Sequence, residues 1–183
     1  MGSYFSIHNN TDDDWYVKVG SDMAAAKIAT TVGVVAVCVG TAGMAAGAVA
    51  PFVAAGAYYG IGAGAAAAIM AASSAATTAA VAGVVAGGWA ATVGGIIKAG
   101  WKDDGFTLIK ARSKHRWGKM MPSLWQQAEC RRFRDSGDGT CKVAKMFMRP
   151  IFSHSAPGKD YGYYIQTWLS KPNVNFEEMT IKR

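Results

Sequence analysis

Lys110, Arg112, Lys114 and Arg116 occupy alternate positions, and Trp117 follows directly. Successive side chains of a strand point to opposite faces, so a strand from Phe106 to Trp117 would carry these four cations as a ladder along one side. Such a row attracts acidic groups: lipid headgroups, an acidic protein surface or a nucleic-acid backbone. Trp101, Trp117 and Trp125 lie close by. Indole rings settle where apolar and polar layers meet, so lipid headgroups, anionic ones in particular, are the expected contact of Lys110, Arg112, Lys114, Arg116 and Trp117. Nucleic acid is not expected as a partner.

The remaining reactive residues form no recognisable constellation. Cys130 and Cys141 flank the turn-forming run Asp135-Ser136-Gly137-Asp138-Gly139. They would face each other across a hairpin, and an oxidising location would permit a disulfide. Cys38 reads as a small apolar residue. His8, His115 and His154 are scattered, with no paired spacing for a metal, no nucleophile elbow and no phosphate-binding loop. No catalysis, cofactor or metal is therefore expected. Asp12, Asp13 and Asp14 lack the ordered ligand spacing of a calcium loop and read as a solvated turn. Asn9-Asn10-Thr11 matches a glycosylation acceptor, and Met1 to Ser6 fits the loose pattern for myristoylation at Gly2.

Between Ile28 and Ile97 the chain runs for 70 residues without a charged side chain, and 25 of them are Ala and 13 Gly. Desolvating an unpaired charge is costly, so this length points to a lipid-facing or wholly buried segment. Two or three crossings at ~20 residues each would fit. Gly43 and Gly47, then Gly56, Gly60 and Gly64, then Gly83 and Gly87 are spaced by four. Residues four apart share a helix face, so these glycines would let another helix approach closely. Over residues 43 to 87 the stretch resembles the glycine-zipper, or small-xxx-small, segments of membrane hairpin and channel-forming proteins. Gly60 to Gly64 offers a bend, and Pro51 a kink.

The net charge of +7 comprises −2 up to Lys27 and +9 from Lys98 onward. Short alternating runs at Tyr4 to His8, Trp15 to Val19, Gln126 to Arg134, Thr140 to Met148, Tyr161 to Leu169 and Val174 to Ile181 read as strands, with turn residues between them. The sequence thus predicts an α+β protein. Residues 1–20 and 101–183 form a discontinuous antiparallel β-sandwich, and 21–100 form a long Gly/Ala-rich helical hairpin inserted between its second and third strands. Pairing of the two β segments requires both ends of the hairpin to leave a membrane on the same side.

The function expected from this arrangement is a membrane-associated protein without a recognised cleavable signal. It assembles with copies of itself and forms a pore through its packed hairpins. Two alternatives stand beside it. One is a filament, shell or cage held by helix packing in water; the other is a membrane-anchored β-sandwich lectin or ligand-binding module that uses the aromatic residues around Tyr161 to Trp168.

Overall fold

The structure, a computed structural model, describes residues 3–21, 37–38, 59–61, 86–120, 123–153, 158–172 and 176–182. In chain order the elements are β1 (Ser3–His8), β2 (Trp15–Ser21), β3 (Val37–Cys38), α1 (Ala86–Asp103), β4 (Thr107–Ile109), β5 (Lys114–Met120), β6 (Ser123–Asp135), β7 (Thr140–Ser153), β8 (Asp160–Tyr164), α2 (Ile165–Leu169) and β9 (Phe176–Lys182). One sheet has the order β5-β1-β8, and the other β3-β9-β7-β6-β2-β4. The chain divides into two compact units: Met1–Val32, Phe106–Arg132 and Lys145–Glu177 make the first, and Gly33–Gly105, Phe133–Ala144 and Glu178–Arg183 the second.

In the first unit the two-residue period of the strands selects the core. Phe5 and Ile7 of β1, Trp15 and Val17 of β2, Ala128 and Cys130 of β6, and Met146 and Met148 of β7 are all buried in one cluster with Ile109, Ile151 and Ile165. Each pair is two residues apart, so each strand turns one face inward. The Phe5 and Trp117 rings stack in parallel at 5.1 Å, and the Trp15 indole N–H donates to Thr11 Oγ1 at 3.0 Å. β1 runs antiparallel to β5 and parallel to β8, while β2 runs antiparallel to both β4 and β6.

The alternate residues of β6 and β7 in this unit carry charge into a dry place. Glu129 Oε1 lies 2.7 Å from Arg131 Nη2 and 3.4 Å from Lys145 Nζ, and the Arg131 guanidinium sits 4.1 Å from the centre of the Phe106 ring. Burial pushes the Lys145 ammonium pKa down, against the pull of the Glu129 carboxylate.

In the second unit α1 buries Trp89, Ala90, Val93, Ile97 and Trp101, the spacing of a single helix stripe. The Trp101 indole N–H donates to the Tyr59 carbonyl at 3.1 Å. At Gly94 a Cβ would come within 2.7 Å of Phe133 Cε1, so the helix reaches that ring because the residue has no side chain. Lys98 Nζ sits 5.2 Å from the centre of the same ring. Just past the end of the helix comes Gly105, whose φ of +84° suits glycine and whose N–H donates to the Lys102 carbonyl.

These elements overturn the expected fold class. The described residues are mostly β, in two sheets, with two short helices and no long helical hairpin inserted in a sandwich. Among them no helix is long and apolar enough to cross a membrane. The physical reason lies in α1: it is apolar on one stripe only, and Lys98, Lys102 and Asp103 fall within its last six residues. The transmembrane-helix and glycine-zipper readings fall with it. Gly60 is in a turn at φ +73°, not in a helix, and Gly87 lies in the first turn of α1. Gly43, Gly47, Gly56, Gly64 and Gly83 lie outside the described residues. Val37–Cys38, expected within the first helix of the hairpin, instead pairs parallel with Ile181 and Lys182 of β9.

Candidate functional site

The run from Asn9 to Asp14 supplies the scaffold of the site. Asn9 is buried, and its Nδ2 donates to the carbonyls of Asp13, Ile109 and Lys110 at 2.7, 3.0 and 2.9 Å. Its Oδ1 accepts from Thr11 Oγ1 at 2.7 Å and from the Thr11 amide. One amide side chain thus ties the loop after β1 to the turn after β4. A group held this way has no room for a glycan, so the acceptor motif is a structural turn.

The three aspartates divide their work in the same way. Asp12 Oδ1 accepts from Arg112 Nη2 at 2.6 Å and from its Nε at 2.9 Å; Asp13 Oδ2 pairs with Arg132 Nη1 at 2.9 Å; Asp14 Oδ1 accepts the Ala111 amide at 2.9 Å. Each carboxylate serves a different partner, and no group of three or more metal-binding side chains occurs among the described residues.

That clamping breaks the expected cationic ladder. Between β4 and β5 the chain turns, with Arg112 in the left-handed region at φ +58° and the Ser113 amide donating to the Lys110 carbonyl. A non-glycine residue there is strained, and such positions cluster at functional sites. Arg112 is held by Asp12 and by the Asn10 carbonyl, to which Nη1 donates at 3.2 Å. Lys110 is exposed in the turn, and Lys114 and Arg116 lie on β5. Lys114 pairs in register with His8, and Arg116 with Ser6. Arg116 lies over the Tyr4 ring at 3.8 Å and 3.3 Å from Asp160 Oδ2, which also accepts from Ser6 Oγ at 2.8 Å. Trp117 takes the opposite face and packs on the core. The five residues are therefore not one surface: two lie in a turn, two share a strand face, and one points inward.

Register brings His8, Lys114 and Tyr164 into one row, since His8 pairs with Lys114 on one side and with Tyr164 on the other. The His8 and Tyr164 rings stack at 4.6 Å with 27° between their planes. Gly162 makes room for them: a Cβ there would stand 3.2 Å from His8 Nε2. Tyr164 is 48% exposed. An open cleft of about 410 Å³ lies at this end of the sheet, lined by His8, Asn9, Asn10, Arg112, Ser113, Lys114 and Tyr164. Asn10 Oδ1 accepts the Gln166 amide at 3.0 Å, so the start of α2 closes onto the same loop. Segment 161–169, expected as one strand, becomes β8 followed by α2, with Ile165 buried at the junction.

Cys130 and Cys141 are free, buried thiols. Burial, then the Glu129 carboxylate, raises the pKa of Cys130; burial, then Asp135 and Asp138, pushes Cys141 up to about 12. Thiols held protonated are poor nucleophiles. Gly2 lies outside the described residues.

Sequence reasoning missed His8, Asn10, Ser113 and Tyr164 as neighbours, and read Asn9 only as a turn residue or glycan acceptor. The cluster of side-chain acceptors from Asn9 to Asp14 was the available signal, because so many cannot all be satisfied locally. No family model, curated protein or solved structure matches this chain.

Proposed function

We propose that this protein is a ligand-binding β module, and that the cleft at the end of β1 takes a small polar ligand. The observation that carries the reading is the half-exposed Tyr164 ring in one row with His8 and Lys114, at a cleft of about 410 Å³. Pockets of ~300–1,000 Å³ with an aromatic wall and a few polar groups are where small molecules bind. The walls are ordered before any ligand arrives, by Asn9 on one side and the Arg112–Asp12 pair on the other. Preorganisation of this kind lowers the cost of binding. Ser113 Oγ donates to the Lys110 carbonyl and Ser6 Oγ to Asp160, so the hydrogens of these two serine hydroxyls are committed, which favours binding over bond-making.

The test is an amide NMR spectrum of the full chain against a panel of monosaccharides and small organic acids at millimolar concentration. The expected result is a set of shifts centred on Asn10, Arg112, Ser113, Lys114 and Tyr164. A panel that moves no amide at these positions overturns the proposal.

A further inference from the structure

Resting on that reading of the cleft, we infer that it takes the carboxylate of a small organic acid between Lys114 and His8, and that binding tightens as His8 gains a proton.

Hydrogen-bond accounting comes first. Three side chains of the lining have hydrogens to give and no hydrogen-bond or ion-pair partner for them among the described residues: the Lys114 ammonium, the His8 imidazole and Asn10 Nδ2, whose own Oδ1 accepts the Gln166 amide. No acidic side chain lines the cleft. A ligand must therefore bring acceptors, and a negative one gains from the unmatched ammonium. A phosphate is best served by the two-pronged donation of arginine, and Arg112 Nε and Nη2 are both turned to Asp12.

His8 and Lys114 are direct cross-strand partners of β1 and β5, with no residue between them. Side chains so placed have Cβ atoms ~4.5–5.5 Å apart, a span that the two oxygens of one carboxylate can serve. The His8 ring sets its Nε2–Cδ2 edge over Gly162 of β8, where a Cβ would stand 3.2 Å from Nε2 and 3.5 Å from Cδ2. Nδ1 lies across the ring from that edge and is left for the β5 side. Tyr164 covers one face of the imidazole, so the acid meets His8 at its rim and needs no contact with the tyrosine.

Protonation makes both ring nitrogens donors and adds a second charge, and histidine is the side chain that changes charge between about pH 5 and pH 8. The other charged or titratable groups on this face are Arg116, matched by Asp160, Arg112, matched by Asp12, and the phenols of Tyr4 and Tyr164; α2 carries none. A charged His8 thus stands against Lys114 with no carboxylate of the chain to offset the pair. An anion seated between them removes that repulsion, so anion and proton favour each other.

Lactate, its neutral amide lactamide, phosphate and chloride are titrated into the full chain at about pH 8 and about pH 5.5 and followed by amide NMR. At the higher pH lactate binds about tenfold tighter than lactamide, the gain of one charge-assisted contact at an exposed site. At the lower pH lactate gains about a further fivefold, the attraction of a second charge at about 4 Å in water, and lactamide gains nothing. Lys114→Met removes the tenfold preference. His8→Gln, which keeps a donor but does not titrate, leaves the affinity at the higher pH and removes the rise. Spectra unchanged outside the cleft verify both folds, and His115→Gln, on the opposite face against Trp117, keeps the rise in full even if His8→Gln disturbs the stack on Tyr164. Equal affinity for lactate and lactamide, tighter binding of phosphate or chloride, a rise lost in His115→Gln, or lactate binding indifferent to pH overturns this inference while leaving a ligand site. Silence of these probes and of the monosaccharides at the cleft overturns the ligand-binding reading itself.

Discussion

Two ion-paired regions of the first unit both join basic side chains to a carboxylate and differ in their contact with water. Arg131 and Lys145 share Glu129, with about a tenth of either cation's side chain exposed; Arg112 and Asp12 pair at 64% and 86% exposure. Two unit charges at ~4 Å attract by ~1 kcal/mol in bulk water and ~4 kcal/mol at an effective dielectric of 20. The buried trio also carries a desolvation cost that the exposed pair does not. The first arrangement is therefore bound up with folding, whereas the second orders a turn at the rim of a cleft and costs little to disturb. Burial, more than charge, decides which job an ion pair has.

The sharpest way to break this comparison is Glu129→Leu. It removes the carboxylate common to two buried cations and should cost ~3–5 kcal/mol in urea unfolding. A loss below ~1 kcal/mol would show that the buried set behaves like a surface pair. Next comes Asn9→Ala, which deprives three carbonyls and Thr11 of one shared partner and should cost ~1–3 kcal/mol. Faster hydrogen exchange at Arg112 and Ser113 in that variant would locate the damage, and unchanged exchange would contradict the scaffold role.

A pH experiment follows in size. Cys141 has its folded pKa raised from 9.0 to about 12, so above pH 9 the unfolded chain loses a proton that the folded chain keeps. Stability then falls as pH rises between those values, by up to ~1.4 kcal/mol per pH unit from this thiol. Lys145, whose folded pKa is lowered, acts in the opposite direction as pH approaches its ordinary 10.5. The measurable quantity is thus the difference in pH slope between the parent and Cys141→Ala, which should be shallower in the variant. Identical slopes would refute it. The smallest effect belongs to Arg112→Gly. Loss of an exposed pair, worth ~0–1 kcal/mol, is offset by relief of the left-handed backbone at φ +58°, so the unfolding midpoint should hardly move. A loss above ~2 kcal/mol would mean that the rim pair supports the fold after all.

Much of the strand content was legible because it depends on nearest neighbours. Tyr4 to His8, Trp15 to Val19 and the hairpin around Asp135 to Gly139 show alternation and turn residues in the chain itself, and Gly137 and Gly139 do take positive φ there. The Phe106 to Trp117 run misled because alternation persists across residues 110–113, where remote side chains, Asn9 and Asp14, capture its backbone and turn it. The glycine spacing misled differently. Close approach through a glycine is found at Gly94 on α1, against an aromatic ring. Periodicity records which residues share a face, but not what that face meets.

By itself the sequence determined the alternating inward faces of the strands, the positive charge of the later half and the tight turns, since each follows from side-chain period, composition or a glycine's freedom. Only the tertiary structure decided that His8, Lys114 and Tyr164 stand in one row and that Arg112 and Arg116 are already neutralised. Those facts depend on strand register and on partners distant in the chain. Pairing across such separations is set by the packing of the whole unit, and no local pattern encodes it.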